Sequence, residues 1–181
     1  MQIIVRAASP DDAEAVAKVL CASRREFLAF APMAHSPEEV RVWIAEVLIP
    51  GGGVYVATQD ELVVAMLAIS CGHDQQWIDQ LYVMPGRTGQ GIGALLLQAA
   101  HGMLKPPICL DTFQANAGAR RFYERQGYRA IAFSDGSGNE ERCPDVLYEW
   151  RGADAAAGND GVAAQLGNRA PGEPLVRKRR L

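Results

Sequence analysis

The sequence has no apolar run that approaches the ~20 residues of a membrane span. Its first residues, MQIIVRAASPDD, lack the basic head, apolar centre and small-residue cleavage site of an export signal. The few cysteines are scattered, with no CxxC pair and no histidine at ligand spacing, so neither a zinc site nor a disulfide framework is predicted. We therefore expect a cytoplasmic protein with reduced, mostly buried thiols, no bound metal and no membrane association.

Positive charge is concentrated at one end of the chain. The formal charge is −3, and residues 152–181 contribute +2 to it, which leaves −5 for residues 1–151. Those last 30 residues contain no aromatic residue, 12 are Ala or Gly, and the segment ends in RKRRL. The composition predicts a disordered tail at 152–181 after a single domain at 1–151. Because that domain is acidic, we expect no nucleic-acid partner, and we expect a monomer or homodimer.

Hydrophobic periodicity predicts an α/β domain with a mixed sheet. The order is strand, two helices, three strands, helix, strand, helix and two strands. Ser9 and Ser36, each followed by proline, are predicted N-caps of the first two helices. The helix after residue 91 is predicted to bury one stripe, formed by Ile92, Leu95, Leu96, Ala99 and Met103.

Glycine is concentrated in GRTGQGIG, residues 86–93, between a strand and a helix. A Walker loop requires lysine after its second glycine, and Ile92 stands there. The dinucleotide fingerprint requires G-x-G-x-x-G, and the chain has G-x-G-x-G with no acidic residue at a strand end about twenty positions later. Both motifs are excluded, but glycine before a helix leaves backbone N–H groups open to phosphate. The loop therefore predicts an anion site.

Two segments resemble motifs of the GNAT superfamily of N-acetyltransferases. LYVMPGRTGQGIGALLLQAA is similar to its coenzyme A pyrophosphate motif, and NAGARRFYERQGY is similar to the motif that follows. The resemblance spans about residues 2–151. It implies a GNAT-like mixed, mostly antiparallel central sheet flanked by helices and splayed between the fourth and fifth strands. It also implies acetyl transfer from acetyl-CoA to a primary amine by direct attack in a ternary complex.

The resemblance also implies the residues of the donor site. Cofactor contacts are expected from the following residues: Leu81, Tyr82 and Val83; Arg87, Thr88, Gly89, Gln90, Gly91, Ile92 and Gly93; Asn116, Ala119 and Tyr123. Thr88 stands where the family has Gln or Arg, so Arg87 or Gln90 is expected to replace that contact. Tyr123 occupies the general-acid position, and the Val83 N–H is the expected oxyanion donor. Asn116 is expected both to cap its helix and to bind the pantetheine.

Asp79 is the expected general base, because a carboxylate on a central strand is costly unless it is used or paired. Alternation along WIDQLYV predicts that it shares a face with Leu81 and Val83, while Gln80 shares the other face with Ile78. A structural hydrogen bond is the alternative role for Asp79. The loop histidines at 35 and 73 are weaker candidates, and His101 is expected to be exposed.

The acceptor is predicted to be a small cationic amine bound by Asp79, Glu140 and Glu141. The two glutamates lie in the acidic loop SDGSGNEERCPD, which attracts cations, although a solvated hairpin tip has the same composition. A protein amine, aminoacyl-tRNA and a non-catalytic acyl-CoA sensor remain alternatives. A covalent route through Cys71 or Cys109 is not favoured, because neither thiol has a clear activating base.

Overall fold

A computed structural model describes residues 2–72 and 75–152, and its helices and strands follow the predicted order. Apart from Gly152, the predicted tail lies outside these residues, and so does His73. The disordered tail and its basic end therefore stay a prediction. Among the described residues, no helix combines the length and apolar character that crossing a membrane requires.

Within the described ranges, seven strands form one sheet. They are β1 (Ile3–Ala7), β2 (Val54–Gln59), β3 (Leu62–Cys71), β4 (Gln76–Val83), β5 (Ile108–Phe113), β6 (Arg129–Phe133) and β7 (Asp145–Trp150). The order across the sheet is β1-β2-β3-β4-β5-β7-β6. Neighbouring strands are antiparallel except β4 and β5, which are parallel. The prediction of a mixed, mostly antiparallel sheet is confirmed.

Four α-helices from the part of the chain that the structure describes flank the sheet. They are α1 (Ala13–Phe27), α2 (Pro37–Trp43), α3 (Ile92–Met103) and α4 (Ala117–Arg125). The start of α2 follows its sequence signal: Ser36 Oγ accepts a hydrogen bond from the Glu39 N–H (3.2 Å), and the Glu39 carboxylate accepts one from the Ser36 N–H (2.7 Å). A 3₁₀ turn (Pro10–Asp12) precedes α1, and a π-helical turn (Ile44–Leu48) continues α2.

The sheet separates two apolar layers. Helices α1 and α2 pack on one face, against residues such as Val56 and Met66. Helix α3 and the Tyr123 side chain of α4 pack on the other face, against residues such as Leu67 and Ile108. Alternate residues of β3 enter opposite layers, as a central strand requires. The sheet is therefore covered by helices on both faces.

Helix α3 buries a stripe that agrees with the predicted one only at Ile92 and Leu96. Leu95 and Ala99 are half-buried and Met103 is 40% exposed. The fully buried residues are Ile92, Leu96, Leu97 and Ala100, followed by Leu104. The prediction was wrong because a nearly continuous apolar run offers two overlapping stripes, and packing on the sheet selects one of them.

Two further expectations about burial were wrong. His101 is half-buried, because its ring stacks on Trp150 with centroids 3.8 Å apart and its Nε2 lies 3.0 Å from the Tyr128 hydroxyl oxygen. Of the four cysteines only Cys109 is buried; Cys71 is exposed and the other two are intermediate. The environment of His101 comes from two residues that are distant from it in the sequence.

Strands β4 and β5 separate along most of their length. They pair only at Gln76 with Ile108 and at Trp77 with Cys109. Beyond these pairs, residues 78–83 of β4 and 110–113 of β5 border an open slot, in agreement with the predicted splay between the fourth and fifth strands. The slot lies at the carboxyl ends of two parallel strands, where open α/β sheets place their ligands.

A β-bulge interrupts β4 beside this slot. Two consecutive residues of β3, Ala68 and Ile69, pair with Gln80 and Ile78, so Asp79 is the extra residue. Ile78 packs in the layer beneath α3, whereas Gln80 lies opposite a residue of the α1 layer. The predicted sharing of one face by Ile78 and Gln80 was wrong, because strict alternation fails at a bulge.

Candidate functional site

The loop between β4 and α3 requires its glycines for two different reasons. Gly89 and Gly91 have φ values of 77° and 81°, in the left-handed region where a Cβ causes strain. Gly93 is needed for space, because a Cβ there would lie 3.2 Å from the Phe122 ring of α4. The clustering of glycine thus combines a tight turn with close packing between two helices.

This turn leaves a row of backbone donors open. Within the described part of the chain, the N–H groups from Thr88 to Ala94 donate no hydrogen bond to protein atoms. The next donor, the Leu95 N–H, bonds to the Gly91 carbonyl oxygen at 3.0 Å. A helix start of this kind also carries about half a positive charge. The array can therefore bind phosphate oxygens.

The polar side chains of the loop have separate tasks. Arg87 donates from Nη1 to Gln59 Oε1 of β2 (2.9 Å) and lines the cavity described below, as does Thr88. Gln90 donates from Nε2 to the Gly86 carbonyl oxygen (3.1 Å) and does not line that cavity. Of the two expected replacements for the missing family side chain, only Arg87 lies at the cavity.

A cavity of about 970 Å³ runs through the slot. Its wall comes from residues 78–83 of β4, residues 110–113 of β5, the start of α3, one side of α4 and the end of α1. It brings together every sequence-predicted site residue except Gln90 and Glu140, and the weaker base candidate His35 also lies outside it. No cysteine of the described ranges lines it.

Backbone groups of β4 point into this cavity. The Met84 N–H bonds to the Val64 carbonyl oxygen of β3 at 2.8 Å, so these two residues form a hydrogen-bonded antiparallel pair. Bonded and non-bonded pairs alternate, which makes Val83 and Leu81 members of non-bonded pairs with β3. Their N–H and C=O groups therefore face the β5 side, where the slot is open.

Helix α4 supplies a polar group at its start. Asn116 Oδ1 accepts a hydrogen bond from the Ala119 N–H at 3.1 Å, so the residue is an N-cap as its position predicts. Because the cap uses the carbonyl oxygen, the Nδ2 group of Asn116 is left to donate elsewhere. Both Asn116 and Ala119 line the cavity.

Tyr123 is the buried aromatic residue of α4 that lines the cavity, with 8% of its surface exposed. Its ring contacts those of Phe122, Tyr128 and Tyr148. Burial raises the pKa of the Tyr123 phenol above its ordinary value, and the nearby Tyr82 raises it further. The phenol is therefore protonated at neutral pH, the form that can donate a proton.

Asp79 lines the cavity from the bulge of β4, and a second carboxylate lines it from β5. That residue, Asp111, was missed because ICLDTF reads as a short apolar strand. The pairing of residues 76 and 77 with 108 and 109 places 79 and 111 at one level of the two parallel strands. The proximity of these two carboxylates therefore follows from the register of β4 with β5, and neither strand indicates it alone.

A buried ion pair closes the far end of the cavity. Arg24 of α1 donates from Nη2 to Glu141 Oε1 at 2.8 Å, and their side chains are 12% and 11% exposed. Burial lowers the pKa of the Arg24 guanidinium, but Tyr82 and Glu141 outweigh it and leave the pKa above its ordinary value. Sequence reasoning missed Arg24, which reads as a solvated residue of an amphipathic helix.

The other loop glutamate lies outside the cavity wall. The Glu140 carboxylate lies 3.1 Å from His35 Nε2, so a histidine candidate and an acidic candidate contact each other. Phe30 packs edge-on against Phe113 of β5, with ring centroids 5.9 Å apart. The segment after α1 and the loop before β7 therefore form one wall around the end of the cavity.

The chain is similar to an acetyltransferase domain model and to several solved structures. Residues 50–130 match the family model described as an acetyltransferase (GNAT) domain. No curated protein sequence matches the chain. The apo form of YjaB from Escherichia coli is 21% identical, with a TM-score of 0.69, covering 84% of this chain and all of that one. The PaiA N-acetyltransferase from Thermoplasma acidophilum, solved with coenzyme A, is 22% identical, with a TM-score of 0.67, covering 83% of this chain and 99% of that one.

A third solved structure, Ard1 from Thermoplasma volcanium, is 16% identical, with a TM-score of 0.66, covering 83% of this chain and 98% of that one. At these identities the structures establish the fold. The family model matches the segment that holds β4, the glycine loop, α3 and β5. The chain therefore carries a match to an acetyltransferase (GNAT) domain at residues 50–130, within a fold similar to that of these solved structures.

Proposed function

We propose that the protein is an N-acetyltransferase that transfers an acetyl group from acetyl-CoA to a primary amine of a small cationic molecule. The observation that carries the proposal is the row of open N–H groups from Thr88 to Ala94 at one end of the cavity. Phosphate is the common biological anion that fits such an array. The scattered free cysteines support a reducing, cytoplasmic setting for this reaction.

The donor lies along the slot in this proposal. Residues 88–93 bind the diphosphate through their N–H groups, with Arg87 beside it. The inward-facing groups of Leu81 and Val83 pair with the pantetheine as a strand would, and the remaining Nδ2 donor of Asn116 binds a pantetheine carbonyl oxygen. Tyr82, Ile92 and Ala119 complete the wall.

The chemistry is direct acyl transfer. Asp79 accepts a proton from the ammonium group of the acceptor, and the neutral amine nitrogen then attacks the thioester carbonyl carbon. The Val83 N–H stabilises the oxyanion that develops. As the carbon–sulfur bond breaks, the thiolate of coenzyme A takes a proton from Tyr123, and the Tyr123 phenolate takes up the proton that the newly acylated nitrogen releases. The absence of cysteine from the described cavity wall supports direct transfer over an acyl-cysteine intermediate.

Charge supports a cationic acceptor. Beyond the α3 end, the described part of the cavity wall carries the carboxylates of Asp79, Asp111, Glu141 and Asp145 and one cation, Arg24. We propose that Asp79 and Glu141 contribute most to binding the acceptor ammonium group. Glu140, which contacts His35, acts at longer range by adding negative charge near the opening.

Two measurements test the function. Acetyl-CoA at a hundred times its Kd should stabilise the protein against unfolding by about 2.7 kcal/mol. Absence of stabilisation at millimolar acetyl-CoA contradicts the donor assignment. Thiol release is then followed across a panel of monoamines, diamines, polyamines, peptides and aminoacyl-tRNA. Preference for small polycationic amines supports the proposal, whereas stabilisation without thiol release on any acceptor identifies a non-catalytic acyl-CoA sensor.

A further inference from the structure

Two aspartates of the cavity wall lie at one level of β4 and β5. The two strands pair in parallel at Trp77 and Cys109, and Asp79 and Asp111 each follow that pair by two residues. Both aspartates line the cavity, and both are half-buried. Because paired strands lie only about 4.8 Å apart, the two carboxylates enter the slot close to the point where it opens.

Both carboxylates also belong to the same face of the sheet. On β5, Leu110 packs in the layer beneath α3, so Asp111, the next residue, is directed to the α1 side. On β4, Ile78 packs in that same layer, so Asp79 also follows onto the α1 side, where the bulge adds it as an extra residue. A shared level and a shared face place the two carboxylates in one part of the slot.

The cavity wall around the two aspartates carries more negative than positive charge. Its other charged or titratable side chains are Arg24 of α1, Tyr82 of β4, Arg87 of the glycine loop, Tyr123 and Arg125 of α4, and Glu141 and Asp145 near β7. Arg24, the cation on the α1 side, donates to Glu141 at 2.8 Å. Asp145 accepts a hydrogen bond from Asn139 Nδ2 at 3.0 Å, and the Cys109 thiol is buried outside the cavity wall. Arg24 therefore has its own counter-ion, and Asp79 and Asp111 add two further negative charges on the same side.

Two carboxylates in one part of a cavity repel each other when both are ionised. The pair therefore keeps its second proton to a higher pH than an isolated aspartate does, and the two protons belong to the pair rather than to either residue. Burial increases this effect, because Asp79 Oδ2 is buried and water screens the repulsion poorly. A carboxylate that holds a proton more strongly is a better base toward an ammonium group.

We propose that Asp111 is a positioning residue for the reaction: its negative charge makes the neighbouring Asp79 carboxylate a stronger proton acceptor. The ionised pair takes one proton from the acceptor ammonium group and holds it, which leaves a neutral amine nitrogen to attack the thioester. After the acylated product leaves, the pair returns this proton to the solvent. The inference rests on the proposed function, in which Asp79 is the base.

Carbon-13 NMR of the ligand-free protein tests the coupling. With aspartate labelled at Cγ, the signals of Asp79 and Asp111 are those that disappear in Asp79→Asn and Asp111→Asn. In the wild-type protein the Asp79 signal should keep changing to at least about one pH unit above the ordinary aspartate value of about 3.9. In Asp111→Asn it should change in a single step at lower pH, because the repulsion is gone. The matched control is Asp60→Asn, which removes an exposed carboxylate outside the cavity wall and should leave the Asp79 titration unchanged.

The pH dependence of turnover tests the role of the pair. With saturating acetyl-CoA and spermidine as the acceptor, kcat/KM for spermidine should fall on the acidic side of its profile in the wild-type protein. In Asp111→Asn this fall should move to lower pH by about one unit, and the plateau above it should drop about tenfold, because the remaining base is weaker. Asp111→Glu keeps the charge and should restore the position of the fall. Loss of an ammonium contact alone would raise KM at every pH without moving the profile.

The outcomes separate this inference from the function on which it rests. If Asp79 titrates identically in the wild-type protein and in Asp111→Asn, the two carboxylates are not coupled and the inference is wrong, whereas the acetyl-CoA site stands. An unmoved acidic fall in Asp111→Asn likewise overturns the role of Asp111. If no amine of the panel releases thiol from acetyl-CoA, the proposed function fails, and the role of the pair as a base fails with it even where NMR shows coupling.

Discussion

Arg24 and Glu141 lie 117 residues apart in the chain and form a largely buried ion pair of 2.8 Å that joins α1 to the loop before β7. A single substitution, Glu141→Gln, removes the counter-charge from a buried guanidinium. We expect it to lower the free energy of unfolding by about 3 kcal/mol. Urea denaturation measures the change.

The double variant Arg24→Met/Glu141→Gln should recover much of that loss, because it removes both buried charges together. Arg25→Met is the control, since Arg25 is the exposed neighbour of Arg24 on α1. Equal stability of Glu141→Gln and wild type would show that the pair is solvated in solution.

Substitution of Gly91 should lower both the stability of the protein and its affinity for acetyl-CoA. Gly91→Ala introduces a side chain at φ 81°, which costs about 1 kcal/mol of stability, and places a methyl group beside the open N–H groups. We expect acetyl-CoA affinity to fall at least tenfold, because the methyl group holds phosphate oxygens away from their donors. Calorimetric titration and thermal unfolding measure both effects.

Gly102 provides the matched control for that substitution. It lies inside α3, and a Cβ added there would meet no other atom within 4 Å. Gly102→Ala should stabilise the protein by about 0.5 to 1 kcal/mol through helix propensity and leave acetyl-CoA binding unchanged. Unchanged affinity in Gly91→Ala would remove the assignment of the loop to phosphate.

The parts of the site with local causes were predictable. A left-handed turn needs glycine, and an N-cap needs a short polar side chain, so GRTGQGIG and Asn116 could be interpreted without the fold. The order of helices and strands along the chain was also predictable, because each strand and helix has its own periodicity and turn residues. These features depend on neighbours a few residues away.

The parts that depend on register or on distant contacts were not predictable. The bulge at Asp79 arises from the pairing of β3 with β4, and the opposition of Asp79 to Asp111 arises from the pairing of β4 with β5. Neither pairing is visible in a single strand. The Arg24 contact likewise needs the loop around Glu141, which the fold brings to the end of α1.

His101 should make folding sensitive to acid. Burial lowers the pKa of this histidine below its ordinary value of 6.5 in the folded state. The unfolded chain therefore binds more protons as the pH falls below about 6.5, and the folded state loses stability over that interval. Above the unfolded-state pKa the contribution is constant. Between about pH 7.5 and about pH 5, the free energy of unfolding should therefore fall less in His101→Gln than in the wild-type protein.

Urea denaturation at several pH values measures this effect. The control is His35→Gln, which removes a histidine that does not stack on Trp150. The Tyr128 hydroxyl, 3.0 Å from His101 Nε2, is a neutral partner and does not offset a charge on the ring. If His101→Gln and wild type lose stability equally with acid, the histidine is not the group responsible.

Tyr123→Phe removes the proposed proton donor without changing the shape of the cavity wall. With an acceptor from the amine panel, kcat should fall about a hundredfold, while the Kd for acetyl-CoA should change little. Tyr128→Phe is the matched control, because it removes a phenol hydroxyl that contacts His101 outside the cavity. The pKa of Tyr123 is raised by burial, so we expect no loss of wild-type activity from its ionisation up to about pH 10. An unchanged kcat in Tyr123→Phe would assign protonation of the thiolate to another group or to water.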